Sequence, residues 1–263
     1  MKIYKYVVTY IVFMKNRTFL YIILLCLAIC PIHAQNWNWW PLGLTHDQIK
    51  GDTLYYGAEI LGVASSGRFA PFWLQSNRNG NISASPYSGN LSAGIFKPAT
   101  QPRRWFDYDF AVQMTGRVQS NIPTVFSPYQ KQITGYFNQL YAHIRLYFID
   151  ITAGIKPIYY ESIDPLLSSG SMILSGNSQP IPRVTIGIED YIPFPGLFGY
   201  VELKGGITYG WLADDVYIQN CRLHHKFAAL RFGGKLPVNL SYEFHHAAQW
   251  GGVSPVYGDV GSD

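Results

Sequence analysis

Tyr108-Asp109-Phe110-Ala111-Val112-Gln113-Met114-Thr115-Gly116-Arg117-Val118 alternates from end to end. Tyr108, Phe110, Val112, Met114, Gly116 and Val118 fall on one side of an extended chain, and Asp109, Ala111, Gln113, Thr115 and Arg117 on the other. Side chains of a strand point alternately to its two faces, so this pattern reads as a strand with one apolar and one wet face. Its length matches the roughly 9–11 residues that a tilted strand needs to cross a bilayer.

The same pattern recurs. Leu140, Ala142, Ile144, Leu146 and Phe148 oppose Tyr141, His143, Arg145 and Tyr147. Val201, Leu203, Gly205, Ile207, Tyr209 and Trp211 oppose Glu202, Lys204, Gly206 and Thr208, and Val238, Leu240, Tyr242 and Phe244 oppose Asn239, Ser241 and Glu243. Weaker strands run near 54–63, 151–158, 183–189 and 225–233. A soluble sandwich also alternates. Strand length and the ionisable residues recurring on the polar face favour a transmembrane barrel. The connections give an independent signal. Long links (119–135, 159–182, 212–224) alternate with short ones (Asp150 as a turn, 190–199, and Gly234 to Pro237), as outer loops and periplasmic turns do in membrane barrels. Residues 64–90, rich in Ser, Asn and Gly, read as a long loop folded into the lumen.

The N-terminal residues have a different character. Lys2, Lys5, Lys15 and Arg17 precede an apolar run from Phe19 to Ile29, and Ile32-His33-Ala34 resembles a cleavage site. Residues 1–34 therefore read as a signal peptide, with Met14 as an alternative start, and residues 35–53 as a linker to a barrel portion spanning 54–263. Cys30 makes a weak lipoprotein site because bulky Ile29 precedes it. All 16 acidic residues lie after residue 34, as do 16 of the 20 Lys and Arg, so the remainder is formally neutral (16 − 16 = 0). A nucleic-acid partner gets no support. Cys221 is the lone cysteine after the leader. Aromatics make up 16% and charged residues 14% of the chain, a balance that suits a barrel in lipid, with Tyr and Trp at both interfaces.

Few constellations suggest chemistry. His224-His225 and His245-His246 are adjacent pairs, so each offers at most one ligand per strand face, and no spacing completes a zinc site. Ser241, Glu243 and His245 share a face, but no nucleophile elbow surrounds them. Asp214-Asp215 reads as a solvated loop pair. Gly205-Gly206 and Gly233-Gly234 precede no helix that would make a phosphate loop. No cofactor is expected. Two segments at outer strand ends have the character of a glycan site: Ser175-Gly176-Asn177-Ser178-Gln179-Pro180-Ile181-Pro182-Arg183, and Phe244-His245-His246-Ala247-Ala248-Gln249-Trp250-Gly251-Gly252. Asn177, Gln179, Arg183, Trp211, His246 and Trp250 are the candidate ligands, because aromatic faces stack on sugar rings and amide or guanidinium donors bind hydroxyls and carboxylates. For each Trp, a place in an interfacial girdle is an equal reading.

These two runs, with Phe69-Ala70-Pro71-Phe72-Trp73-Leu74-Gln75-Ser76-Asn77-Arg78-Asn79-Gly80, resemble the Wzi capsule-assembly family in its Bacteroides-type form, over residues 55–260. The resemblance implies an outer-membrane barrel of about eighteen strands with a periplasm-facing helical part. It also implies a lectin that helps attach capsular polysaccharide to the cell surface without catalysis. The chain carries about half those strands and no evident helical bundle, so the expectation is an N-terminal portion of such a barrel. Its expected partners are capsular polysaccharide and outer-membrane lipid. The rival expectations are a general porin and, less so, a membrane-embedded hydrolase.

Overall fold

The computed structural model of the chain describes residues 4–13, 53–100, 104–120, 132–157, 176–212 and 218–261. They are almost entirely strand: β1 (Tyr4–Phe13), β2 (Tyr55–Ala64), β3 (Tyr87–Lys97), β4 (Phe106–Gln119), β5 (Ile133–Leu146), β6 (Ile149–Ile155), β7 (Pro182–Pro193), β8 (Val201–Trp211), β9 (Arg222–Phe232) and β10 (Leu240–Trp250). These ten form one sheet in sequence order. The run β2 to β10 is antiparallel, and β1 pairs with β2 in parallel. A separate two-stranded ribbon joins β11 (Val253–Ser254) to β12 (Gly258–Asp259). Among the described residues the single helical turn is α1 (Phe72–Gln75). β1 falls within the segment read as a leader. The apolar run, the cleavage site and the linker up to residue 52 lie outside the described residues, as do most of the long links at 121–131, 158–175 and 213–217 and the Asp214-Asp215 pair.

The sheet is polarised in the sense opposite to that of a water-soluble protein. On β4, Met114 is 55% exposed and Val118 58%, while their neighbour Thr115 is fully buried, as are Asp107, Asp109 and Gln113. On β5 and β6, Leu140, Ile144, Leu146, Ile149 and Ile151 are exposed, while His143, Arg145, Asp150 and Thr152 are buried. Large apolar side chains of a soluble domain go inward, and ionisable ones almost never do unless paired. Here the alternation is kept with the two faces exchanged.

By its own contacts the chain divides into two compact units. The first comprises Met1–Pro98, Ala111–Gln139 and Pro157–Pro180. Its polar face is held by hydroxyl and amide bonds: the Ser92 and Thr115 hydroxyls are 2.7 Å apart, and Asn138 Nδ2 donates to Thr115 Oγ1 at 2.8 Å. Residues 65–86 fold back as a loop closed by Ser65 N–H to Pro86 O (2.8 Å) and Ala70 N–H to Ala84 O (2.9 Å). The loop lays Ala70, Leu74 and Ile82 on Leu61 and Val63 of β2, making a small dry core. The expected long loop is therefore present but shorter, because β3 begins at Tyr87. Ser, Gly and Ala dilute the alternation of β3, yet Leu91 and Ile95 are exposed while Asn90, Ser92 and Phe96 are buried.

The second unit comprises Ala99–Phe110, Leu140–Lys156 and Ile181–Asp263. Its strands run β6 to β10 with continuous registers, apart from a shift on β7 between Ile188 and Ile192. Several boundaries differ from expectation, and β7 runs on to Pro193 through the expected 190–199 link. The β5–β6 turn is Tyr147-Phe148, with Tyr147 in the left-handed region (φ 56°), and Asp150 lies inside β6 rather than at the turn. β5 begins at Ile133, inside the expected long link. β10 extends to Trp250, so most of the run from Phe244 is strand.

Gly154 anchors the β5–β6 pairing. It sits at φ 118°, and a Cβ there would overlap the Leu140 carbonyl oxygen. Gly154→Ala is expected to destabilise the fold by more than about 2 kcal/mol in urea melts, through positive-φ strain and backbone overlap. Gly116→Ala, with open space around its Cβ position, is expected to stay within about 0.5 kcal/mol.

Candidate functional site

The buried face of β4, β5, β6 and β7 in the second unit carries a closed ion network. His143 Nδ1 meets Asp109, and its Nε2 lies 2.9 Å from Asp150 Oδ1. Each ring nitrogen thus faces a carboxylate oxygen. Arg145 grips Asp150 through Nε (2.7 Å) and Nη2 (2.6 Å), and its Nη1 reaches Asp190 at 2.6 Å. Lys156 Nζ lies 3.6 Å from Asp109. The Glu189 N–H donates to Asp150 Oδ2 at 3.1 Å. Asp150 is 1% exposed. Aspartates 109, 150 and 190 thus face His143, Arg145 and Lys156, and both buried aspartates have a basic side chain as partner. The alternation places His143 and Arg145 on the polar face but does not reveal the network, because Asp150 has the character of a turn residue and Asp190 falls in the expected 190–199 link.

One atom each of His143, Asp150 and Glu189 lies within 4.8 Å of the others, so these residues can be arranged around a metal ion. Arg145 already spends two nitrogens on Asp150, and its fixed charge would repel a second cation there. The donor set fits the ion network better than a metal.

A second polar group lies on β7 to β10. His225 Nε2 and His245 Nδ1 are 3.1 Å apart with nearly parallel rings, and Phe227 stacks on both. Glu243 lies 3.4 Å from His245 and 3.4 Å from Lys204. Arg231 pairs with Glu202 and lies over the Tyr191 ring at 4.2 Å. Ser241, Glu243 and His245 do share this face, as the sequence suggested. Glu243 is placed between Lys204 and His245, which is an ion-pair geometry.

The six candidate ligands are not brought together. Arg183 is buried on the polar face of β7, opposite Gly154 and Gly210, where its Nη2 donates to the Lys156 carbonyl. Trp211 and Trp250 flank Arg222 on the other face of β8, β9 and β10, and His246 lies opposite Lys226 on that same face. Tyr209 packs edge-on against both Trp rings at 5.1 and 5.9 Å. The three aromatic candidates and Arg183 therefore share strand ends but not a surface.

Asn177 and Gln179 lie in the first unit and serve another role. Asn177 Oδ1 accepts the Asn77 N–H at 2.8 Å, and the Asn79 N–H donates to Gly176 O at 2.6 Å. Asn77 (φ 56°) and Asn79 (φ 50°) are in the left-handed region, which Asn tolerates better than most residues. Gly80 is required here, since a Cβ would come within 2.8 Å of the Gln179 backbone nitrogen. Arg117 ties this turn down through Gly80 O, Asn90 and Tyr136. The Phe69–Gly80 run and the Gly176–Gln179 run thus fold as one element, with Asn177 as a structural acceptor and Gln179 exposed. Phe72 and Trp73 of α1 are also exposed.

Removing one member of the buried network leaves its partners uncompensated. Asp150→Asn is expected to cost about 3–5 kcal/mol of unfolding free energy in detergent. Glu202→Gln, at the more accessible Arg231 pair, is expected to cost about 1 kcal/mol or less.

No protein-family model matches the chain, and no curated protein or solved structure matches it.

Proposed function

We propose that this chain is strand material of a non-enzymatic outer-membrane β-barrel of capsule assembly, which binds capsular polysaccharide at the cell surface. The observation that carries the reading is the exchanged polarity of the sheet, with apolar side chains exposed on alternate positions from β3 to β10 and polar or ionisable ones buried between them on β3 to β9. Such a surface is costly in water, where contiguous bare apolar patches drive association. In hydrocarbon it is the favourable arrangement, provided that every backbone group is paired within the sheet and the edges close. Long connections also alternate with short ones along the described strands, as outer loops and periplasmic turns do.

The capsule part of the reading rests on the resemblance of three runs to the Wzi family. It is supported by two of those runs folding onto one another, through Asn77 and Asn177. Gln179, Phe72 and Trp73 are exposed in this element, and amide donors with aromatic faces suit sugar rings. A porin would keep its polar face open to water. The ion pairs that fill this face in the second unit favour a plugged barrel instead.

The full chain, reconstituted in vesicles, is expected to bind purified acidic capsular polysaccharide. Trp73→Ala with Gln179→Ala is expected to weaken binding about tenfold, equivalent to about 1.4 kcal/mol. In planar bilayers the protein is expected to conduct little. Unchanged glycan binding in the double variant contradicts the site, and large stable channels contradict the plugged reading.

A further inference from the structure

The strands β8, β9 and β10 present one apolar face whose loop end is cationic. Arg222 lies between Trp211 and Trp250 in the first cross-strand row, with its guanidinium 5.1 Å from the centre of the Trp250 ring. Lys226 lies opposite His246 four residues further along the same face, and both are exposed. His224 sits between those rows. Its Nε2 is buried and has no hydrogen-bond partner among the described residues. Beyond them the rows become wholly apolar, as Leu203–Leu230–Tyr242 and Val201–Phe232–Leu240. No acidic residue occupies this face of the three strands; Glu202 and Glu243 project to the other side.

The geometry points to a binding site for the phosphate groups of an anionic membrane lipid on this outward patch. The inference rests on the barrel reading and adds a named lipid contact to it. Cations on a lipid-facing surface are costly at mid-membrane, and the cost falls toward the interface. Arg222, His224 and Lys226 are confined to the loop end, beside Trp211, Tyr209 and Trp250, the aromatic types that mark the headgroup level. Position lowers the cost of carrying these charges but provides no partner for them. Among the described residues no carboxylate on this face supplies the complementary charge, and a ligand phosphate would supply it. Phosphate accepts charge-assisted hydrogen bonds from guanidinium and ammonium. A phosphorylated lipid brings that charge to the right depth and lays its acyl chains along the apolar rows below. A soluble acidic glycan would meet the same cations without using those rows.

The test uses the full chain in phosphatidylcholine nanodiscs, with native mass spectrometry reading retained lipid. Lipid A is compared with lipid A stripped of its phosphates, and polygalacturonate serves as a soluble acidic glycan. The phosphorylated form is expected to bind at least about tenfold more tightly. Arg222→Gln with Lys226→Gln is expected to abolish that preference while inserting like the wild type. Arg231→Gln, on the opposite face, is expected to keep it. Equal retention of both lipids, or an unaffected double variant, overturns the inference. So does a double variant that loses polygalacturonate but keeps lipid A. Insertion is read separately by protease protection of the strands. A wild-type chain that fails to insert overturns the barrel reading together with this one.

Discussion

Burial of a carboxylate is the constraint on which the rest of this structure depends. Asp150 is nearly inaccessible, and it is tolerable there because Arg145 and His143 supply three donors and the Glu189 backbone a fourth. Those partners come from β5 and β7, on either side of β6, so satisfying one carboxylate fixes the register of both pairings. In the first unit Thr115 plays an uncharged version of the same part, linking Ser92 on β3 to Asn138 on β5. Once the polar side chains are committed to one another, the apolar ones are left on the other face. The exchanged polarity follows from a strand period of two applied to a sequence that alternates.

The strands were legible because that period is strong in Tyr108–Val118 and Val201–Trp211, where large apolar residues alternate with polar ones. β3 was obscured by Ser88, Gly89, Ser92, Ala93 and Gly94, which carry little hydrophobic signal. The turn at Tyr147-Phe148 was misplaced because neither residue is an ordinary turn former, while the adjacent Asp150 is. Positions on a face were readable. The side chain met by each residue across strands was not, since it depends on register, which no local pattern states. Arg183 and Trp250 were thus grouped by their shared strand ends, although register places them on opposite faces. Asn177 has the character of a donor toward sugar in the sequence, while its partner, Asn77, lies a hundred residues earlier.

Three kinds of surface follow from this division. The buried polar face is occupied by its own ion pairs. The loop element built from residues 65–86 and 176–179 offers exposed amide and aromatic groups. The exposed face of β8 to β10 that carries Trp211 and Leu230 is apolar except for its cationic end. A glycan-binding barrel anchored in a phosphorylated leaflet would use each of them differently, and no residue has to serve two of these roles.

The central claim is that the exposed apolar face meets lipid. A nitroxide scan of β4 from Phe106 to Gln119, in the reconstituted full chain, tests it most directly through collision with oxygen and with a water-soluble nickel chelate. The account predicts a period of two, with oxygen favoured at 108, 110, 112, 114 and 116, and both reagents excluded at 109, 111, 113 and 115. Nickel access at the first set equal to that of an exposed loop, or the loss of the two-residue period, would contradict it.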